Sequence, residues 1–379
     1  MAFVRRLFRV EDVFFTQEGT EQAELGNCIE GGGASLQIPA LENSSAMARD
    51  ATSASRALFL LALVLGTAAV DVQVDHAGEW AAQVEAASAG TTVVFAPGRY
   101  EGCSTGGLAL ASGVALAGSS GAAATVIDCM GAGRHFAVGG GADVTIEGLT
   151  LSGGLAPDED SSDGGCVLVA GPGGSLVVAD SVFSSCSAAS RGGAIAVRGS
   201  AALNISRSNF TDNDAGEDGG AIHAAAGKVS ASRTRFERNS AETRGGAVAV
   251  TERAVLDLND TLFDSNRVLV AERYKTTQDW ETEVAGGGAI FARDGCSIRV
   301  AGHSEFIDNT VPANTADEGT GGGVSMWGGS TLRVQGPVMF ARNAAHYGGA
   351  VFSSDRGWDF ADQARPPIKE KIVLASVGA

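Results

Sequence analysis

Apolar residues recur two apart in short runs along most of this chain. Ile195 and Val197 are followed by Leu203 and Ile205, then by Phe210. The next set is Ile222 and Ala224, Val229 and Ala231, Phe236; the one after is Val248 and Val250, Leu256 and Leu258, Phe263. Period-two spacing predicts strands with one buried face. No run is long enough for a helix, and Gly, Ser, Asn and Asp separate the runs. One stretch departs from this. "EWAAQVEAASAG" puts Trp80 and Val84 on one face of a short amphipathic helix.

The punctuation repeats too. Gly-Gly followed by a small and then a β-branched residue starts at Gly164, Gly192, Gly219, Gly245, Gly287, Gly321 and Gly348. Phe-x-x-Asn joins Phe210 to Asn213, Phe236 to Asn239, Phe263 to Asn266, Phe306 to Asn309 and Phe340 to Asn343, with a near match at Phe183. The distance from the glycines to the phenylalanine is always 17 to 19 residues. A fixed period in the high twenties predicts stacked units rather than one globular core. Three short strands per unit predict an all-β fold, a single-stranded parallel β-helix. Coils about 4.8 Å apart, about nine or ten of them between Gly90 and Phe352, make a rod of order 50 Å.

Each mark has a corner or core role in such a rod. The pairs Gly192–Gly193, Gly219–Gly220 and Gly245–Gly246 suit sharp corners, because glycine reaches backbone angles closed to other residues. The phenylalanines suit an internal stack. The asparagines suit a left-handed bend and a ladder of amide hydrogen bonds along the axis.

GGA[IV] followed by FxxN resembles the repeats of the polymorphic outer membrane proteins, over Gly164 to about Val351. The resemblance implies a right-handed, pectin-lyase-like β-helix on a secreted or surface protein, often adhesive. Two features depart from it. No segment for the C-terminal membrane β-barrel of the chlamydial members is expected within these 379 residues, and Cys166 and Cys186 stand where Ala and Asn belong. "GTTVVFAPGRYEG" and "VTIEGLTLSGG" look like opening coils of general right-handed β-helices. The pectin-type hydrolase motifs NTD, DD, GHG and RIK do not occur; "GHSE" at Gly302 is the nearest approach.

From Met47, two arginines, the apolar run Ala57–Leu65 and Thr67-Ala68-Ala69 read as a signal peptide. The run is short for a transmembrane helix, although it suits an uncleaved anchor if translation begins at Met1. The expected organisation is a leader or gene-model extension over 1–46, a signal peptide over 47–69 and a capping segment over 70–90. The β-helix follows over 91–355, then a C-terminal cap or truncated tail over 356–379. The expected location is secreted or cell-surface, with no span in the mature chain. From Val70 onward, 22 basic and 36 acidic residues leave a net charge of −14, which argues against nucleic acid and anionic membranes.

Cys103 and Cys129 are 26 residues apart, about one coil, and could form a disulfide. Cys166 with Cys186 is possible but does not follow from the period. Buried free thiols are the alternative throughout. Asn204, Asn209 and Asn259 stand in N-x-[ST] sequons.

All long inserts fall between the phenylalanine and the next glycines: 155–163, 267–285 and 310–320. They are expected to project from one edge, made acidic by Asp214, Glu217 and Asp218, and to form a recognition surface. Within the largest, Arg273, Tyr274, Lys275 and Trp280 are the candidate contacts. Asp158, Asp160 and Asp163 suit calcium by residue type alone; no cofactor is otherwise expected. Acid–base cleavage of sugars needs paired carboxylates, and none gather on one strand face by spacing; stacked Asp212 with Asp214, or Asp257 with Asp260, are the weak candidates. The expected role is non-catalytic adhesion or surface recognition by a monomer, with a cell-surface protein or polysaccharide as partner. The alternatives are a polysaccharide lyase or hydrolase, and a structural wall or matrix component.

Overall fold

The computed structural model describes residues 70–75, 78–156, 162–269, 285–312 and 319–354, all within one compact unit. The expected leader, signal peptide and C-terminal segment from residue 356 lie outside them. One coil runs through Ile195–Arg198, Ala202–Ser206, Asn209–Thr211 and Asp214–Ala215. Each strand pairs in parallel with its counterparts one coil away. The result is a stack of parallel sheets: sheet A of ten strands, containing Ala202–Ser206, sheet B of nine with Asn209–Thr211, sheet C of five with Asp214–Ala215, and sheet D of nine with Ile195–Arg198.

Sheet C corrects the expectation of three strands per turn. Its strands are two residues long, such as Ser187–Ala188 and Ser240–Ala241, too short to leave a period in the sequence. They form because the preceding corner is locked, so the next two residues leave it extended and in register. Sheet D brings a second correction. Through its middle coils both faces are buried, so Ala196, His223, Ala249 and Phe291 form an outward row that is still covered. Corner side chains supply part of the cover; the Arg244 guanidinium lies 5.4 Å from the centre of the Phe291 ring.

The phenylalanines fill the interior as one stack. Phe183, Phe210, Phe236, Phe263, Phe306 and Phe340 follow one another at 4.6–5.0 Å between centroids, the spacing of the strands that carry them. Burying each ring contributes roughly 1.5–3 kcal/mol. Beside them runs the asparagine ladder. Asn213 Nδ2 donates to Asn239 Oδ1, Asn239 to Asn266, Asn266 to Asn309 and Asn309 to Asn343, at 2.8–2.9 Å.

The asparagines are not the left-handed residues. That conformation falls one position earlier, at Asp212, Arg238, Ser265, Asp308 and Arg342, with φ of 53–57°. The amide therefore points inward to its ladder while the residue before it makes the bend. Charged occupants of this column pair across coils: Arg238 holds Asp212 through Nε and Nη2, both at 2.9 Å, and Arg342 holds Asp308. An exposed pair is worth at most about 1 kcal/mol, and a non-glycine left-handed residue costs about the same. Arg238→Gly should therefore leave the unfolding free energy, read from denaturant titration, within about 1 kcal/mol of wild type. A larger loss would mean that the pair holds the corner.

The two glycines of each corner have different reasons. The first takes positive φ, 66° at Gly192 and 71° at Gly219. The second has no room: a Cβ on Gly220 would lie 2.2 Å from the Gly246 carbonyl oxygen and 2.3 Å from that of Ser240.

At the N-terminal end Val70–Val74 pairs with Thr91–Phe95, and the helix Trp80–Glu85 buries Trp80 and Val84. The Trp80 ring packs near Phe95 and Phe136, and its Nε1 donates to the Glu101 carbonyl at 2.7 Å.

Candidate functional site

The outward positions of sheet A are set by the alternation of its five-residue strands. In Ala202–Ser206, Leu203 and Ile205 point inward, so Asn204 and Ser206 are left outside. Register then builds two outward rows. One is Val177, Asn204, Ser230, Asp257 and Arg299; the other is Ala179, Ser206, Ser232, Asn259 and Ala301. All of them but Ala179 line an open groove of about 450 Å³. Its middle is hydroxyl and amide. Charge is confined to one end, where Asp257 meets Lys228 at 3.4 Å and Arg299 Nε donates to Gln335 at 2.8 Å. Such a surface offers donors and acceptors on its four coils from Asn204 to Arg299 and suits a polyhydroxylated chain. Sequence reasoning missed this groove. Small polar residues on the outer face are what any solvated strand shows, and only the register places them together.

The stems of the three inserts leave from one edge. Leu155–Ala156 and Arg267–Val268 both belong to sheet C, and Arg267 bridges Thr310. Val268, Ala285 and Val311 pack into a small cluster there. Arg273, Tyr274, Lys275, Trp280, Asp158 and Asp160 lie outside the described residues. Asp163 is buried; its Oδ2 pairs with Arg198 at 2.6 Å and its Oδ1 accepts the Arg191 N–H. A calcium ion there would have to displace a guanidinium.

The expected acidic edge is corrected by the same geometry. Asp163, Arg191, Asp218 and Arg244 precede successive glycine pairs, so acid and base alternate down the stack. Arg244 Nε meets Asp218 at 2.8 Å with both side chains nearly buried. Arg191 meets Glu217 at 3.2 Å, and Ser240 donates to Asp214. Parallel in-register stacking would set like charges on like; alternation avoids that.

The weak catalytic candidates are likewise occupied. Asp212 is held by Arg238, Asp257 by Lys228, and Asp260 accepts the His303 N–H at 2.9 Å. Glu237 and Asp264 do neighbour each other in register on the outer face of sheet B. The signal was available, since both directly follow the repeat phenylalanine. Arg235 and Arg238 lie at 3.4 and 3.7 Å from Glu237, and Ser265 donates to Asp264. Two histidines are wholly enclosed. Burial pushes the pKa of both His135 and His223 down from 6.5 to about 4. The Ile127 carbonyl and Asp128 oppose this at His135. Asp218 and Asp163 oppose it at His223, where Arg191 and Arg244 add to it.

Disulfides join Cys103 to Cys129, whose Cα atoms are 5.0 Å apart, and Cys166 to Cys186 at 5.6 Å. Cys296 is a buried free thiol. Asn204, Asn209 and Asn259 are all exposed. No helix among the described residues is long and apolar enough to cross a membrane.

A family model described as "Right handed beta helix region" matches residues 112–339. Among solved structures, the A-module of the mannuronan C-5 epimerase AlgE4 from Azotobacter vinelandii is similar over 76% of this chain and 97% of that module. The identity is 14% and the TM-score 0.19. No curated protein matches.

Proposed function

The chain belongs to the right-handed β-helix family, and we propose that it is a secreted or surface-displayed member that recognises a polysaccharide on another surface without cleaving it. The groove on sheet A carries this reading: a row of hydroxyls and amides at Asn204, Ser206, Ser230, Ser232 and Asn259, with charge at one end only. Sugar hydroxyls are met by such groups through many modest hydrogen bonds. The finer likeness to polymorphic outer membrane protein repeats supports an adhesive role. The glycine-to-Asn marks of that family are the corner and core positions described above.

The test is retention of the purified chain on immobilised neutral and acidic polysaccharides, with chain scission read in the same experiment. Ser232→Trp should weaken retention about tenfold or more by filling the groove, with the circular dichroism spectrum unchanged. Scission would overturn the non-catalytic reading and direct attention to Glu237 and Asp264. Retention that survives Ser232→Trp would move recognition away from the groove.

A further inference from the structure

Away from the groove, potential metal ligands converge at one place among the described residues. The sulfurs of Cys103 and Cys129 and one ring nitrogen of His135 all lie within 4.8 Å of one another. The cysteines follow adjacent parallel strands, Gly98–Glu101 and Thr125–Asp128, and are joined as a disulfide. His135 is wholly buried. Its Nε2 lies 2.9 Å from the Ile127 carbonyl oxygen, so Nε2 carries the proton. Nδ1 then holds a bare lone pair and has no hydrogen-bond partner. A buried polar atom without a partner costs about 1–3 kcal/mol and calls for an explanation. A metal bound at Nδ1 would leave the bond from Nε2 to Ile127 as the outer contact that orients the ring, as metal-binding histidines commonly have. The ring is also kept neutral by its burial, which is the ligating form.

We propose that Cys103, Cys129 and His135 form a redox-gated site for a zinc-class ion, closed as a disulfide when oxidised and opened to metal when reduced. A dithiol supplies two electrons and two protons to the Cys103–Cys129 bond. That bond breaks to two thiols, and the reductant leaves as its own disulfide. Zn²⁺ then displaces both thiol protons to solvent. Two Zn–S bonds and one Zn–N bond form, with the fourth tetrahedral position left to water or another donor. Cys103 is only half-buried, so a dithiol reaches this bond. Cys166 and Cys186 are both fully buried, so theirs is protected. Either state cross-links the same two coils, and the joint holds in an oxidising or a reducing compartment.

The experiment uses the full chain, reduced by dithiothreitol, freed of it anaerobically and titrated with Co²⁺. One equivalent should bind with sulfur-to-cobalt charge-transfer absorption and tetrahedral bands, and Zn²⁺ should displace it. The oxidised protein should show none of this. His135→Gln should weaken binding about tenfold or more, and Cys103→Ser/Cys129→Ser should abolish the charge-transfer band. Alkylation with mass mapping gives a readout that needs no variant: Zn²⁺ should protect Cys103 and Cys129 from modification. The proposal is overturned if reduced wild type shows no thiolate band. It is equally overturned if the band survives in the double serine variant, which would assign it to Cys28 or Cys296, or if Zn²⁺ leaves both thiols reactive.

Discussion

Asn239→Ala should destabilise the solenoid by about 4 kcal/mol, a large loss for a single side chain. Asn239 stands mid-ladder and is wholly buried. Its Nδ2 donates to the Phe210 carbonyl at 3.0 Å and to Asn266 Oδ1 at 2.9 Å. Its Oδ1 accepts the Asn213 backbone N–H at 3.1 Å and Asn213 Nδ2 at 2.9 Å. Alanine removes a bond from each of four groups in a buried site. Asn266 Oδ1 keeps the residue 239 backbone N–H and Asn213 Nδ2 keeps the Phe183 carbonyl, so the full cost of about 1–3 kcal/mol per unsatisfied group falls on the Asn213 backbone N–H and the Phe210 carbonyl. Asn343→Ala is the control. That residue ends the ladder and is only partly buried, so solvent can replace part of what is lost, and the cost should be about 1–2 kcal/mol. Denaturant midpoints for the two variants check the argument. Equal shifts would show that the ladder is not a dry internal spine.

Acid should be the second large effect, through His135 and His223. Both pKa values are lowered from 6.5 to about 4. Above pH 6.5 neither ring binds a proton in either state, so their contribution is flat. Between 6.5 and 4 the unfolded chain takes up protons that the folded chain refuses. Stability therefore falls as pH falls through that window and levels off below it. The depression corresponds to a loss on the order of 3 kcal/mol per histidine. The slope is about 1.4 kcal/mol per pH unit for each. Urea midpoints at pH 7.5 and 4.5 should differ far less in His135→Gln/His223→Gln than in wild type. An unchanged difference would assign acid sensitivity to the carboxylates instead.

Sequence and structure agree where a residue's role depends only on which way it points. Phe210, Phe236 and Phe263 were legible as an internal stack because alternation along one strand assigns inside and outside. Asn213 and Asn239 were legible as a ladder for the same reason. Their supposed left-handed conformation was not. It belongs to Asp212 and Arg238, one position earlier in each corner, a one-residue offset that the repeat spacing does not specify. The acidic edge failed differently: Asp214, Glu217 and Asp218 make that corner acidic along the chain, and register sets Arg191 beside Glu217 and Arg244 beside Asp218.

By itself, then, the chain's pattern determined the stacked β-helix, its inward residues and its glycine corners, since these follow from local alternation repeated at a fixed period. Tertiary structure alone decided the neighbours across coils: the alternating charge pairs of the glycine column, the enclosure of His223 and the groove of Asn204, Ser230 and Asn259. Those residues stand some 27 positions apart, or more where an insert intervenes. Hydrogen-bond register brings them within about 5 Å, and a shift of a single residue would turn them to the opposite face.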